Sequence, residues 1–187
     1  MAAASSHLLQ HKGAAVVFDN IDVLGARLAD EEFDIPDDAV LVLRNCGPRG
    51  YPGMPEVGNM PLPKKVLQRG VRDMVRITDA RMSGSAFGTV VLHVSPEAAS
   101  GGPLAIVEEG DIIELDVAHR RLTLHVSEAE ISARRDRLRL VNPSSSRPPA
   151  QSGYVGMYRA HVNEASEGAD LDFLVGCRGN AVPRDSH

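Results

Sequence analysis

Apolar residues recur along the chain in short runs and helical patterns separated by glycine, proline and charge, which predicts alternating strands and helices. The run "GAAVVF" (13–18) predicts a strand. The stretch "DNIDVLGARLAD" (19–30) predicts a helix, because its apolar residues follow helical spacing behind Asp19 as the cap. Two further strands are predicted at "AVLVLRN" (39–45) and "DMVRITD" (73–79). If these two strands run parallel in one sheet, the loops that follow them lie at the same edge.

The middle of the chain is expected to be mostly β structure. The segment "PLPKKVLQRG" (61–70) predicts a short helix, because it has prolines at its start and a glycine at its end. Alternation in "FGTVVLHVSPEA" (87–98) predicts a strand, with His93 on one apolar face. Apolar runs over 104–126, separated by "EEGD" and "AHRR", predict a meander of antiparallel strands.

A helix is predicted to close the domain. Ser127 and Glu130 have the spacing of a capping box, which indicates a surface helix over 127–140, and its "RRDRLR" stretch is interpreted as a solvated face. The segment "VNPSSSRPPAQSG" (141–153) is typical of a linker, because it is rich in proline and serine and has no apolar periodicity. We therefore expect a compact domain over 1–140.

A tail over 154–187 follows the linker. Its pattern predicts a helix over 154–166 and a short strand near 173–175. Several apolar side chains in this tail need a surface to cover. The tail is therefore predicted to pack on its own domain or on a neighbouring subunit.

Composition narrows the class of protein. The chain has 187 residues, 43% of them hydrophobic and 24% charged, which is typical of one ordinary globular domain. A formal net charge of −5 gives no global attraction for nucleic acid, and we expect a cytoplasmic protein, since no apolar run has the length of a membrane span. The two cysteines, Cys46 and Cys177, cannot by themselves hold a four-thiolate iron–sulfur cluster and are interpreted as buried or loop residues.

Two loops carry candidate chemistry, and both follow predicted strands. The loop "CGPRGYPGMPEVGNM" (46–60) contains Glu56, and "ARMSGSAFG" (80–88) contains Ser83; glycines in both allow a ligand to approach the backbone closely. Residue type alone leaves simpler alternatives open. Glu56 can be a solvated carboxylate, Ser83 a turn residue and His93 a hydrogen-bonded core histidine.

The order of three motifs resembles the C-terminal domain of the dihydroxy-acid and sugar-acid dehydratase family. These motifs are "GPRGYPGMPEV", "TDARMSG" and "GTVVLHVSPEAASGGPLAIVEEGDIIELDV", and the resemblance runs from about Leu8 to the last residue. The segments "LRNCGPRGYPGMPEVGNMPLP" and "DLDFLVGCRGNAVPRDSH" are more similar to the sugar-acid branch, which includes arabinonate and xylonate dehydratases. The resemblance implies an α/β fold that is mixed and β-rich, a swivelling β/β/α barrel-like domain with peripheral helices and a C-terminal tail.

The resemblance also implies a reaction and a set of site residues. Enzymes of this family remove water from a 2,3-dihydroxy acid to give a 2-keto-3-deoxy acid, with Mg²⁺ and an iron–sulfur cluster, here expected to be [2Fe-2S], in one pocket. Glu56 corresponds to a carboxylate that binds magnesium, and Ser83 to the family's proposed base. Arg81 and Gly84 are expected in the active-site neighbourhood, with His187 brought there by the tail.

The family pattern includes a longer N-terminal domain, which supplies the cluster ligands and other magnesium ligands. Neither cysteine of this chain matches a cluster ligand. The chain is therefore expected to be a natural truncation or an excised domain that binds no cofactor tightly, is inactive alone, and works with an N-terminal dehydratase domain in a homo-oligomer. Two alternatives remain: a stand-alone domain that binds a sugar acid without turnover, and an oligomerisation module.

Overall fold

The structure is a computed structural model that describes residues 4–141 and 152–176. His187 and Cys177 lie outside the described residues, as does most of the predicted linker. The strands are β1 (Gln10–Phe18), β2 (Val40–Leu43), β3 (Arg76–Thr78), β4 (Val90–Val91), β5 (Ile112–Asp116) and β6 (Arg121–Leu124). The α-helices are α1 (Ile21–Ala29), α2 (Lys64–Gln68), α3 (Glu128–Val141) and α4 (Gly153–His161).

The six strands form one mixed sheet in the order β4-β3-β2-β1-β5-β6, curled into a half-barrel. Strands β1 to β4 pair in parallel, whereas β5 pairs antiparallel with both β1 and β6. The expected mixed, β-rich α/β architecture is confirmed. The parallel pairing of β2 with β3, which the sequence-based prediction required, is also present.

The parallel strands have apolar side chains on both faces, and for this reason β2 is a continuous apolar run. Leu41 and Leu43 point into a core on one side of the sheet, where α1 contributes Leu24 and α2 contributes Val66. The intervening strand residues point to a second core on the other side, against the β5–β6 hairpin, the segment 98–107 and Leu8. Residues of that second core include Val40, Val42, Val75, Ile77, Leu104 and Ile113.

The N-cap of helix α1 lies one residue later than predicted. Asn20 is the N-cap, and its side-chain Oδ1 accepts a hydrogen bond from Val23 N at 2.9 Å. Asp19 instead forms an ion pair with Arg44, 2.6 Å between Nη2 and Oδ1. The prediction of Asp19 as the cap was wrong because a competing cation at the end of β2 holds that carboxylate.

The prediction of mostly β structure over residues 87–126 was wrong for its first half. Strand β4 is two residues long, and 3₁₀ helices follow at Ala98–Ser100 and Pro103–Ile106. His93 is exposed and has φ 54°, so it is not a core histidine. The second half is the predicted hairpin of β5 and β6.

Two predictions for the C-terminal region also need correction. The stretch "RRDRLR" in α3 is not wholly solvated, because Arg134 is buried and donates to Asp111 Oδ2 at 2.5 Å and to Ile106 O at 3.0 Å. Near residues 173–175 the chain forms a 3₁₀ helix, Asp172–Leu174, rather than a strand.

The segment 152–176 contacts the domain through α4 and the turn that follows. Val162 is 1% exposed, and its carbonyl accepts a hydrogen bond from Arg49 Nε at 3.1 Å. Glu164 Oε2 accepts one from Glu97 N at 2.9 Å. The apolar side chains Tyr154, Met157, Phe173, Leu174 and Val175 remain exposed. Within the described ranges, no helix is long and apolar enough to cross a membrane.

Candidate functional site

The Glu56 loop (residues 44–63) and the Ser83 loop (residues 79–89) leave the sheet at the same edge. The Glu56 loop follows β2 and the Ser83 loop follows β3. These strands pair in parallel, with Leu43 opposite Thr78 at their last residues. The carboxyl ends of parallel strands are the common position of ligand sites in such sheets.

Arg81 joins the two loops directly. Its Nη1 donates to Glu56 Oε1 at 2.9 Å, and its Nε donates to Met54 O at 2.6 Å. In the other direction, Gly58 N donates to Arg81 O at 2.8 Å. The segment 54–58 is therefore held against the start of the Ser83 loop on both sides of Glu56.

The Glu56–Arg81 ion pair is open to solvent. The Glu56 side chain is 45% exposed and that of Arg81 is 44% exposed. Exposed pairs of this kind contribute about 0.2–1 kcal/mol to stability. A divalent cation with further ligands can therefore compete for the carboxylate, and Oε2 remains available beside the oxygen that Arg81 contacts.

Ser83 lies in a short turn of small residues. Its Oγ lies 3.0 Å from Ser85 Oγ, and the Ser85 amide donates to the same oxygen at 3.4 Å. A side chain built at Gly84 would meet no atom within 4 Å, so space is open beside the turn. The serine hydroxyl therefore has two potential donors next to it and an approach route for a ligand.

Asp79 anchors the beginnings of both loops. This carboxylate is 1% exposed and accepts hydrogen bonds from Asn45 N at 3.1 Å, Cys46 N at 2.9 Å and Ala98 N at 3.0 Å. Burial raises the pKa of Asp79, and the backbone hydrogen bonds oppose that rise. Asp79 thus satisfies three amides, in two segments of the chain, that no strand ladder satisfies.

Glu97 anchors the next part of the Glu56 loop. It is 1% exposed, and its carboxylate accepts hydrogen bonds from Arg49 N at 2.8 and 3.0 Å and from Gly50 N at 2.9 Å. A Cβ at Gly47 would lie 2.7 Å from Glu97 Oε2, so residue 47 has to be glycine for the loop to lie this close. Burial raises the pKa of Glu97, as do the charges of Glu164 and Asp79, to a smaller extent.

Arg76 connects the far ends of the same two loops. The side chain is 5% exposed; Nη1 donates to Asn59 O at 2.7 Å and Met60 O at 3.2 Å, and Nη2 to Phe87 O at 3.2 Å. Its charge is balanced by Asp73, 2.8 Å away. Each loop is therefore fixed at both its start and its end by a buried charged side chain.

Glu56 fits magnesium as one ligand of a shared site. Carboxylate oxygens are the ligands that Mg²⁺ prefers, but one monodentate carboxylate does not hold the ion by itself. Among residues 4–141 and 152–176, no group of three His, Cys, Asp or Glu side chains could hold a metal ion. A site with three such side chains would therefore need groups from outside the described residues.

Cys46 does not fit an iron–sulfur cluster. The thiol is fully buried, and burial, with a smaller contribution from the charge of Asp79, raises its pKa to about 12. Cluster ligation requires a thiolate, and the Sγ of Cys46 instead donates to Arg44 O at 3.6 Å.

Sequence reasoning selected Glu56, Ser83, Arg81 and Gly84, and the structure places all four in the joined loops. It did not select Asp79, Glu97 or Arg76, which hold those loops in position. Asp79 and Glu97 lie within the strings "TDARMSG" and "VSPEA" that carry the family resemblance. A carboxylate directly after a strand and a glutamate next to a proline were the available signals.

The structure is thus an α/β domain, a mixed half-barrel whose joined loops present a carboxylate, an arginine and a serine. Residues 1–169 match the family described as dihydroxy-acid/6-phosphogluconate dehydratase, C-terminal. The chain therefore belongs to this dehydratase family, as its C-terminal domain.

Several dehydratases match almost the whole chain. An L-arabinonate dehydratase from Rhizobium leguminosarum bv. trifolii (strain WSM2304) is 59% identical over 185 residues, which cover 99% of this chain and 31% of the relative. An L-arabonate dehydratase from Azospirillum brasilense is 56% identical, covering 99% of this chain and 32% of the relative. A 6-deoxy-6-sulfo-D-gluconate dehydratase from Pseudomonas putida is 47% identical, covering 97% and 30%. The chain thus spans about a third of the length of these relatives.

Proposed function

We propose that this chain is the C-terminal part of a hydro-lyase that dehydrates a sugar acid, a 2,3-dihydroxy acid, to a 2-keto-3-deoxy acid and water. The observation that carries the proposal is the junction between the Glu56 and Ser83 loops through Arg81 at the carboxyl ends of β2 and β3. The names of relatives at 47–59% identity support a sugar acid as the substrate class.

Glu56 is proposed to bind magnesium through Oε2, while Arg81 holds Oε1 and limits rotation of the carboxylate. Magnesium, when bound, would polarise the carboxylate and 2-hydroxyl group of the substrate and make the C2 proton more acidic. The remaining magnesium ligands and the cysteines of an iron–sulfur cluster are assigned to a preceding domain of the enzyme, as in the family pattern.

Ser83 is proposed to accept the C2 proton. A serine hydroxyl is a weak base at its ordinary pKa, so this role requires groups that stabilise the alkoxide. The Ser85 hydroxyl and amide, both within hydrogen-bonding distance of Ser83 Oγ, are two such groups. Gly84 would leave room for C2 of the substrate to approach.

A chimera tests the function. The part of the R. leguminosarum L-arabinonate dehydratase that precedes the matching segment is fused to this chain, and the 2-keto-3-deoxy product is measured for a panel of sugar acids. We expect turnover of at least one aldonic acid, dependent on Mg²⁺. Absence of turnover by a folded chimera that contains its cluster would contradict the proposal.

The chain alone is predicted to be colourless and inactive. Cys46 is unsuitable as a ligand of an iron–sulfur cluster, and one carboxylate, that of Glu56, does not hold Mg²⁺ by itself. Turnover of arabinonate or xylonate by the isolated chain would contradict this prediction.

A chain that binds sugar acids but gives an inactive chimera would instead support the non-catalytic binding domain. A homo-oligomer and a cytoplasmic location stay predictions.

A further inference from the structure

The Glu56 loop is a chain of tight turns, so the place of its first residues determines the place of Glu56. Tyr51 N donates to Gly47 O at 2.9 Å, and Met54 N donates to Tyr51 O at 2.8 Å. Arg81 then contacts Met54 O, directly before the Pro55–Glu56 pair. A displacement at residues 49–50 is therefore transmitted to Glu56 through two successive turns.

A buried carboxylate fixes that starting point. Both oxygens of Glu97 face the amide of Arg49, and Oε2 also accepts from Gly50 N. The side chain fills the space next to Gly47, where a Cβ would collide with it. No side chain of the Glu56 loop itself makes these contacts, so Arg49 and Gly50 depend on a residue 48 and 47 positions away in the sequence.

The C-terminal segment holds Glu97 in turn. Glu164 Oε2 accepts from Glu97 N at 2.9 Å and lies 3.4 Å from Ser95 Oγ. The same segment contacts the loop directly, because the carbonyl of Val162 accepts from Arg49 Nε. The turn over 95–97 is thus packed between the segment 152–176 and the loop that carries Glu56.

We infer that Glu97 is a positioning residue for the proposed magnesium ligand: its carboxylate sets the start of the Glu56 loop through the amides of Arg49 and Gly50, and Glu164 sets the position of Glu97. The structural part of this inference is independent of the proposed function, whereas its catalytic consequence rests on that function.

Hydrogen exchange of the isolated chain tests the structural part. Glu97→Ala removes the acceptor, and the exchange of amides over 47–58 is expected to accelerate about tenfold or more. Glu97→Gln keeps one oxygen that can accept from both amides but replaces the other oxygen with an NH2 group, so it is expected to accelerate this exchange by a smaller factor than Glu97→Ala. Amides of β2 should not change in either variant, and Glu128→Ala, at an exposed position of α3, is the control.

Glu164→Ala provides a second variant if Glu97→Ala does not fold. It should accelerate exchange at 47–58 in the same direction by a smaller factor, because Glu97 keeps its carboxylate. Unchanged exchange at 47–58 in Glu97→Ala, or equal acceleration by Gln and Ala, would overturn the inference.

The magnesium dependence of the chimera tests the consequence. Residues that orient a metal ligand typically contribute about 10–100-fold to metal affinity. Glu97→Ala is therefore expected to raise the magnesium concentration for half-maximal activity by about this factor, and Glu97→Gln to raise it by less. An unchanged magnesium dependence in Glu97→Ala would overturn this part. If the unmodified chimera has no activity, the proposed function fails, and hydrogen exchange still decides the role of Glu97.

Discussion

One oxygen of the Glu56 carboxylate accepts a hydrogen bond from Arg81, and the other oxygen is free. A substitution at this position can therefore remove the charge while keeping the shape of the side chain. Glu56→Gln keeps the shape and the hydrogen bond to Arg81 while removing the charge that a hard cation prefers. In the active chimera, this change is expected to raise the magnesium requirement about tenfold or more. The readout is activity as a function of magnesium concentration.

Glu32→Gln is the matched control, because Glu32 is also an exposed glutamate in an ion pair, with Lys65. It should leave the magnesium requirement unchanged. An equal effect of the two substitutions would contradict a specific role for Glu56.

Ser83 is expected to act in the chemical step rather than in metal binding. Ser83→Ala should lower kcat by about 10²-fold or more, the usual contribution of a positioned base, with little change in magnesium dependence. Ser85→Ala should cause a smaller fall, because the Ser85 amide still donates to Ser83 Oγ. Steady-state kinetics of both variants, with the exposed Ser132→Ala of α3 as control, would measure this. A fully active Ser83→Ala chimera would exclude Ser83 as the base.

Glu97 gives the stability of the chain a defined dependence on pH. Burial raises its folded-state pKa above the ordinary 4.5, and Asp79, Glu164 and Tyr158 are the titratable groups that face it. A raised carboxyl pKa contributes stability that is present below the unfolded-state value and is lost as pH rises through the folded-state value. The chain should therefore lose stability relative to Glu97→Gln as pH rises from about 4.5. Urea unfolding of both proteins across this range measures the difference, and a constant difference would contradict it.

A buried arginine joins helix α3 to the segment 106–111. Arg134 bridges Asp111, Ile106 O and Glu130, and both it and Asp111 have side chains about one-tenth exposed. Arg134→Met leaves the Asp111 carboxylate without its cation, with only the Glu108 amide as a donor, and should lower the free energy of unfolding by about 3 kcal/mol. Its exposed neighbour offers the control, since Arg135→Met should change it by less than about 0.5 kcal/mol. Chemical denaturation would compare the two, and equal losses would show that the buried contacts contribute little.

Apolar periodicity predicted the elements that build the sheet but not the segments that build the site. Strands β1, β2 and β3 were identified because their side chains enter continuous cores. The alternation in residues 87–98 predicted a longer strand than β4. Alternation reflects only neighbouring residues, whereas contacts with residues distant in the sequence determine the path of the chain here. Amides at Asn45, Cys46 and Arg49 bond to Asp79 and Glu97 instead of to a neighbouring strand. Contacts between a carboxylate and backbone amides produce no periodic pattern in the sequence, so periodicity could not predict them.

Part of the candidate site was predictable, because it follows from the pairing of the predicted strands. Parallel pairing of β2 and β3 places their loops at one edge, so the meeting of the Glu56 and Ser83 loops followed from the strand pattern. The pairing of Glu56 with Arg81 did not follow, because it depends on the turn geometry of both loops. That the Glu56 and Ser83 side chains face a common cleft stays a prediction.

The segment 152–176 extends the contacts of the domain to the region around the candidate site. It covers the 95–97 turn and the start of the Glu56 loop through Val162 and Glu164, whereas Tyr154, Phe173 and Leu174 are exposed. Because Val162 is 1% exposed and its amide donates to Tyr158 O at 2.8 Å, that amide is expected to exchange slowly in the isolated chain. Deletion of residues 152–187 should accelerate exchange over 47–54, where Arg49 loses a hydrogen bond, and leave β5 and β6 unchanged. Mass-spectrometric hydrogen exchange of the two proteins makes the comparison, and rapid exchange throughout 154–176 in the 187-residue chain would show that this segment does not pack on the domain.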